Sequence, residues 1–262
     1  MSDTITIMPN ARKQQLLEAA NLLIDARRNH APIADLPAAI APASLDEAYF
    51  IQDAIAAAFG PIGGWKIGAG SLEATPAYAP MPLAWFYSDG ATLPGQRFRY
   101  RVLEGEIAFL LGKDLPVRAT PYTRTEVVAA IASCHPIIEE LESGLIDPKA
   151  VAPFTSSADL QMNGAFIVGP AVANWQSIDF HTETVTLTVD GAVEVQRTGS
   201  NTSGDLMRLL PYIANEASVR TGGLKAGQWI TTGSWTGNTP ARAGSHAEVV
   251  FAHAGRVSLR FE

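Results

Sequence analysis

The stretch LEGEIAFLL, residues 103–111, sets the tightest limit on the fold. The run has strand length and an apolar body, yet Glu104 and Glu106 stand two positions apart near its start. Side chains along a strand alternate between its faces, so these two carboxylates share one face, with Gly105 leaving room behind them. Ile107, Phe109 and Leu111 form the opposite face. If the shared face is buried, two like charges lose their water together, at a cost of roughly several kcal/mol each. A divalent cation removes both problems, and oxygen-only ligands favour Mg2+, Mn2+ or Ca2+ over Zn2+. The competing reading places the pair at a solvent-exposed strand end.

A cation needs a third ligand, and HPIIEELES, residues 135–143, supplies candidates in Glu139, Glu140 and Glu142. In an extended segment Glu140 and Glu142 share a face with Ile138. Glu139 shares one with Ile137 and Leu141, so it alone lies on an otherwise apolar face. Lys66 sits in GGWKIGAGS, flanked by Trp65 and Ile67 and bracketed by glycines. Such a lysine can move a proton or place a fixed positive charge beside a developing anion, or it snorkels at a strand edge. The loop TTGSWTG places Gly233 and Ser234 where backbone donors could approach an anionic ligand; an ordinary turn is the alternative. Asp159, ahead of the strand GAFIVG, is either a turn residue or a group supporting the site.

Helical spacing over 11–28 puts Leu16, Ala19, Ala20, Leu23 and Ile24 on one stripe. A second helix is predicted from Ser44, where SLDE forms a capping box through Glu47, to the residues before Gly60-Pro61. From residue 64 the texture changes to short strands and turns. This divides the chain into a helical N-terminal segment, 1–62, and a β-rich body, 63–262. Within the body, TRTEVVAAIASC, 123–134, is predicted to be a third capped helix carrying Cys134 in its apolar part. ETVTLTVDGAVEVQRTG is predicted to be a hairpin turning at Asp190-Gly191. The helical stretch from Asp205 is expected to kink or break at Pro211.

Several function classes are excluded. The formal charge is -7 and there is no basic run, so nucleic acid is not the expected partner. A lone cysteine rules out an internal disulfide framework and fits a reducing compartment. The opening MSDTITIMPNARKQQ has no apolar core of signal-peptide length, and no apolar run could span a bilayer. A cytoplasmic location is expected. HExxH, CxxC, GxSxG and phosphate-loop patterns are all missing from the sequence.

Taken in order, these pieces resemble the 2-keto-4-pentenoate hydratase and 4-oxalocrotonate decarboxylase group of the fumarylacetoacetate hydrolase superfamily. DEAYFIQDAI, GWKIGAGS, EGEIAFLLGKDLP, PIIEELES, ADLQMNGAFIVG and GQWITTGSWTGNTPARAGSHAEVVF carry the resemblance. It implies an α+β fold, a β-rich roll of mixed sheets with a small helical N-terminal segment. It also implies Mg2+ or Mn2+ held by Glu104, Glu106 and Glu139, with Lys66 as the active-site lysine. Asp159 would assist catalysis, and Gly233 and Ser234 would bind substrate. The implied substrate is a small 2-oxo or 2-hydroxydienoic acid from aromatic catabolism, hydrated at C4. Decarboxylation of a 2-oxo dicarboxylate and acylpyruvate hydrolysis are the related alternatives. A homo-oligomer is expected, with a complex with a related pathway enzyme as a further partner. A non-catalytic subunit with a vestigial site is the competing class, and the retained glutamates and Lys66 argue against it. The chain departs from the group's pattern at Leu160 after Asp159, at Gly144 after Ser143, and over the segment following Ser71. These departures bear on the substrate pocket more than on the carboxylates.

Overall fold

Both predicted capping boxes start helices. The computed structural model describes residues 8–262, apart from the side chains at 217, 218 and 221. The first residues of the N-terminal stretch read above for a leader therefore lie outside the described residues. The helices are α1 (Asn10–Arg28), α2 (Leu45–Phe59), α3 (Arg124–Val128), α4 (Pro153–Ala158) and α5 (Leu209–Thr221). The first strands are β1 (Ile62–Gly68), β2 (Ala77–Pro82), β3 (Phe86–Ser88), β4 (Ala91–Leu93), β5 (Val102–Leu111), β6 (Ile131–Leu141) and β7 (Asn163–Val168). They continue with β8 (Thr184–Val189), β9 (Ala192–Thr198), β10 (Trp229–Thr231), β11 (Thr239–Pro240), β12 (His246–Phe251) and β13 (Gly255–Phe261). Among the described residues no helix is long and apolar enough to cross a membrane.

The chain divides into two compact units. One contains the described residues up to Phe59 together with Ser143–Met162; the other contains Gly60–Glu142 and Asn163–Glu262. The sequence expectation broke the chain once, at 62/63; the helical unit also takes in the later segment that carries α4. In that unit the predicted stripe of α1 is buried and packs with α2. Glu47 N–H donates to Ser44 Oγ at 3.3 Å, while Glu47 Oε2 accepts from Ala43 N–H instead of from Ser44. Arg12 grips the same carboxylate through two nitrogens, at 2.8 and 2.6 Å, and holds it below the usual carboxylate range.

The second unit has two mixed sheets. The larger runs β2-β1-β10-β5-β6-β7-β3, with β11 also pairing β5; the smaller runs β4-β13-β12-β8-β9. Gly105 marks where they meet. A Cβ there would lie 2.9 Å from Val249 Cγ1 on β12, so a side chain would push the sheets apart. Asp190 and Gly191 both take positive φ, 53° and 81°, as a two-residue hairpin turn of the predicted kind requires.

Two local expectations are corrected. The capping box of Thr123 and Glu126 is complete, but α3 ends at Val128 and the chain is already in β6 by Ile131. Cys134 is therefore a fully buried strand residue opposite Phe109, and burial pushes its thiol up. Helix propensity loses here to β6, which pairs with β5 from Ile131 onward and gains β7 on its other edge from Ile137. Pro211 is the third residue of α5, in its first turn, where a missing N–H costs nothing.

Glu140 points away from Glu139 on β6 and is fully buried. Neither of its oxygens makes a hydrogen bond of good geometry. Burial and then Glu142 push its acid well above the usual range, and the backbone N–H of Arg101 only partly offsets this. Replacing it with an apolar residue of similar volume removes that cost. Glu140→Met is expected to raise unfolding stability by about 1–3 kcal/mol in urea melts. A destabilised variant would show that the carboxyl is satisfied after all.

Candidate active site

The antiparallel register of β5 and β6 sets Glu139 directly opposite Glu104 and Ile137 opposite Glu106. Directly paired residues face the same way, so Glu104, Glu106 and Glu139 all project from one face of the larger sheet. Each offers a carboxylate oxygen, and these oxygens lie within 4.8 Å of one another. Glu106 and Glu139 are 1% and 0% exposed, and Glu104 is half-buried. Lys66 reaches the group from β1, which joins β5 through β10, and Nζ donates to Glu139 Oε1 at 2.5 Å.

The electrostatics follow from burial and count. Burial, then Glu139 and Glu104, push Glu106 well above the usual carboxylate range, against the pull of Lys66 and the Thr231 hydroxyl. Burial raises Glu139 to about 7, with Lys66 opposing and Glu104 reinforcing. Burial alone would lower Lys66, but Glu139, Glu104 and Glu106 outweigh it and the net direction is up. Three carboxylates and one ammonium leave a formal charge of two negatives, which one divalent cation cancels. Glu139 Oε2 is buried and makes no hydrogen bond of good geometry, although the Glu106 carboxyl is among its neighbours. An oxygen donor set with an unsatisfied buried oxygen and this charge fits a hard cation.

Gly233 also joins the group. Its N–H donates to Glu106 Oε2 at 3.2 Å, so the Gly233 donor is spent on a carboxylate of the site. Ser234 Oγ accepts from Gly237 N–H within the same loop. Two residues that the sequence reading passed over hold this loop to β5. Thr232 Oγ1 donates to Ile107 O at 2.7 Å, and Thr236 Oγ1 accepts from Gly105 N–H at 2.9 Å. Between β10 and β11 the loop leaves the ladder, and these hydroxyls take over the strand's backbone groups. Their signal in the sequence is a threonine on each side of Gly233-Ser234, which no strand or turn rule singles out.

Asp159 lies in the other unit and is fully engaged there. Oδ1 accepts from Arg27 Nε at 2.5 Å, and Oδ2 accepts from Ser143 Oγ at 2.6 Å and Gly144 N–H at 2.8 Å.

Comparison with known proteins places this geometry in context. The family model described as fumarylacetoacetate (FAA) hydrolase C-terminal matches residues 78–262. A 2-oxo-hept-4-ene-1,7-dioate hydratase of Escherichia coli is 28% identical over 210 residues, 76% of this chain and 78% of the relative. A 2-hydroxyhexa-2,4-dienoate hydratase of Comamonas testosteroni is 30% identical over 177 residues, 67% of this chain and 66% of the relative. The 4-oxalocrotonate decarboxylase from Pseudomonas putida G7, solved with magnesium and adipate, shares the fold. Its TM-score is 0.83 at 24% identity, over 95% of this chain and 98% of that one. With the family model matching well over half of the chain, and with relatives that are hydratases and decarboxylases, the chain belongs to the fumarylacetoacetate hydrolase C-terminal family.

Proposed function

We propose that this protein is a divalent-metal-dependent hydratase that converts a 2-hydroxy-2,4-dienoate into a 4-hydroxy-2-oxo acid in aromatic catabolism. The observation that carries the reading is the buried carboxylate triad with Lys66 against Glu139. The sequence likeness to two hydratases of dienoic or enoic acids favours hydration among the family's reactions. Glu104, Glu106 and Glu139 would hold Mg2+ or Mn2+. When bound, such an ion supplies Lewis-acid stabilisation of negative charge on the substrate's C2 oxygen.

The chain's own groups do the rest. Lys66 stays protonated between three carboxylates, so Nζ presents a fixed positive charge and a proton to the bound acid. Protonation at C5 turns the dienol into a 2-oxo-3-enoate; water then adds at C4 and a proton at C3, which balances as one water consumed. The Ser234 hydroxyl, accepting from Gly237, keeps its own proton for a substrate oxygen. Gly233 acts on the site through Glu106. Asp159 is given no proton-transfer step, because both of its oxygens are occupied by Arg27, Ser143 and Gly144.

Purified protein with Mg2+ or Mn2+ and a panel of 2-hydroxydienoates tests the reading. Loss of dienol absorbance with a 4-hydroxy-2-oxo acid as product, abolished by EDTA, is the expected result. Release of CO2 from a 2-oxo dicarboxylate without hydration would move the assignment to decarboxylation, and acid cleavage products would move it to hydrolysis.

A further inference from the structure

We infer that Asn201 is a positioning residue for the carboxylate site, acting on Glu106 through one peptide plane. The inference rests on the metal-binding reading above.

Asn201 is buried, and three of the four hydrogen bonds its amide can make go to backbone. Nδ2 donates to Thr232 O at 2.9 Å and to Gly233 O at 3.0 Å, while Oδ1 accepts from Ser203 N–H at 2.9 Å. With two carbonyls on one side and an N–H on the other, only one orientation of the amide satisfies all three.

The consequence runs through the Thr232–Gly233 peptide. A trans peptide directs its carbonyl and its N–H to opposite sides. Asn201 holds that carbonyl, so the Gly233 N–H on the far side is aimed at Glu106 Oε2, 3.2 Å away. A hydrogen bond to the carbonyl also polarises the N–H and strengthens it as a donor. Gly233 has φ 84°, a conformation that strains other residues, and it is the residue between the two carbonyls that Asn201 holds.

Thr232 and Thr236 do not duplicate this role. Their hydroxyls fasten the loop to Ile107 and Gly105, but neither bond holds the carbonyls of residues 232 and 233. A second tie lies next to Asn201: fully buried Ser203 Oγ accepts from Ala69 N–H at 3.1 Å. Ala69 is three residues beyond Lys66. That tie fastens segment 201–203 to the loop after β1 and leaves the Thr232–Gly233 peptide to Asn201.

The test is Mn2+ binding, read from the free-ion electron paramagnetic resonance signal, alongside thermal melting in EDTA. Asn201→Asp keeps the shape and the acceptor for Ser203 but turns both donors into lone pairs facing carbonyls. The Kd for Mn2+ is expected to rise about tenfold or more. Ser203→Ala loosens the same segment without touching the Thr232–Gly233 peptide, and is expected to leave the Kd near wild type. A folded Asn201→Asp protein with wild-type affinity overturns the inference, as does an equal loss in Ser203→Ala. If Asn201→Asp does not fold, spectra of wild-type protein labelled with 15N-glycine decide. The Gly233 amide is expected to shift on Mg2+ addition, and an unmoved resonance overturns the inference. Wild-type protein that binds no Mn2+, or Glu106→Gln that binds it normally, overturns the metal-binding reading itself.

Discussion

Glu139→Gln is expected to abolish divalent-ion binding, with a rise in Kd of at least on the order of 100-fold and a matching loss of turnover. Titration calorimetry with Mg2+ or Mn2+ reads the first, and dienol consumption the second. Two features of the residue make the effect large. Glu139 contributes a buried oxygen with no good hydrogen bond of its own, and it holds Lys66. The amide keeps an oxygen for Lys66 but places no negative charge on the ion, so the cluster's formal charge drops from two negatives to one. The same change relieves repulsion when no ion is present, because Glu106 then faces one fewer carboxylate. Glu139→Gln should therefore melt in EDTA at or above the wild-type temperature while losing the upward shift that Mg2+ gives the wild type. That combination separates a lost ligand from a damaged fold. A variant that keeps the Mg2+ shift would remove Glu139 from the ligand set.

How much of this was legible in the sequence depends on the range of each interaction. The i, i+2 relation of Glu104 and Glu106 is a property of one strand, and strand alternation alone put them on a common face. Alternation also separated Glu139 from Glu140 and Glu142. What it could not supply is the register of β6 against β5, which brings Glu139 opposite Glu104. The α3 region shows the opposite case. TEVVAAIA has helical character and follows the capping residue Thr123, so local rules extend the helix, whereas pairing of β6 with β5 from Ile131 onward ends it at Val128. Asn201 was invisible for a related reason: its partners are backbone carbonyls about thirty residues away, and backbone leaves no mark on side-chain pattern. Asp159 was read as a turn residue or a group supporting the site; its oxygens are engaged with Arg27, Ser143 and Gly144 inside the helical unit, partners that no local pattern announces.

Without metal, the protein is expected to lose thermal stability as pH rises from 5 to 8, and Mg2+ should reverse that slope. Burial raises Glu139 from 4.5 to about 7 and raises Glu106 well above its usual range. Acids of this kind bind protons more tightly in the folded chain than in the unfolded one. Their contribution is complete below the unfolded value near 4.5 and is lost as pH rises through the folded value. For Glu139 alone the change from 4.5 to about 7 corresponds to on the order of 3 kcal/mol. The window is clear of the ordinary acid transition. Glu47 and Glu126, held low by Arg12 and Arg118, lose their contributions only below their unfolded values. His135, lowered by burial, acts in the opposite sense, but its effect is complete by about 6.5. Lys66 is raised, so it stays charged throughout. Mg2+ selects the deprotonated carboxylates, so its stabilisation grows as protons leave. The difference in melting temperature between Mg2+ and EDTA should therefore widen steadily from pH 5 to pH 8. In the double variant Glu106→Gln with Glu139→Gln the Mg2+ difference should vanish, and the slope should shrink to what Glu140, also raised by burial, and His135 leave. A metal-free wild-type curve that is flat or rising between pH 5 and 7.5, once the double variant's curve is subtracted, would mean that these carboxyls are not buried together in the folded protein.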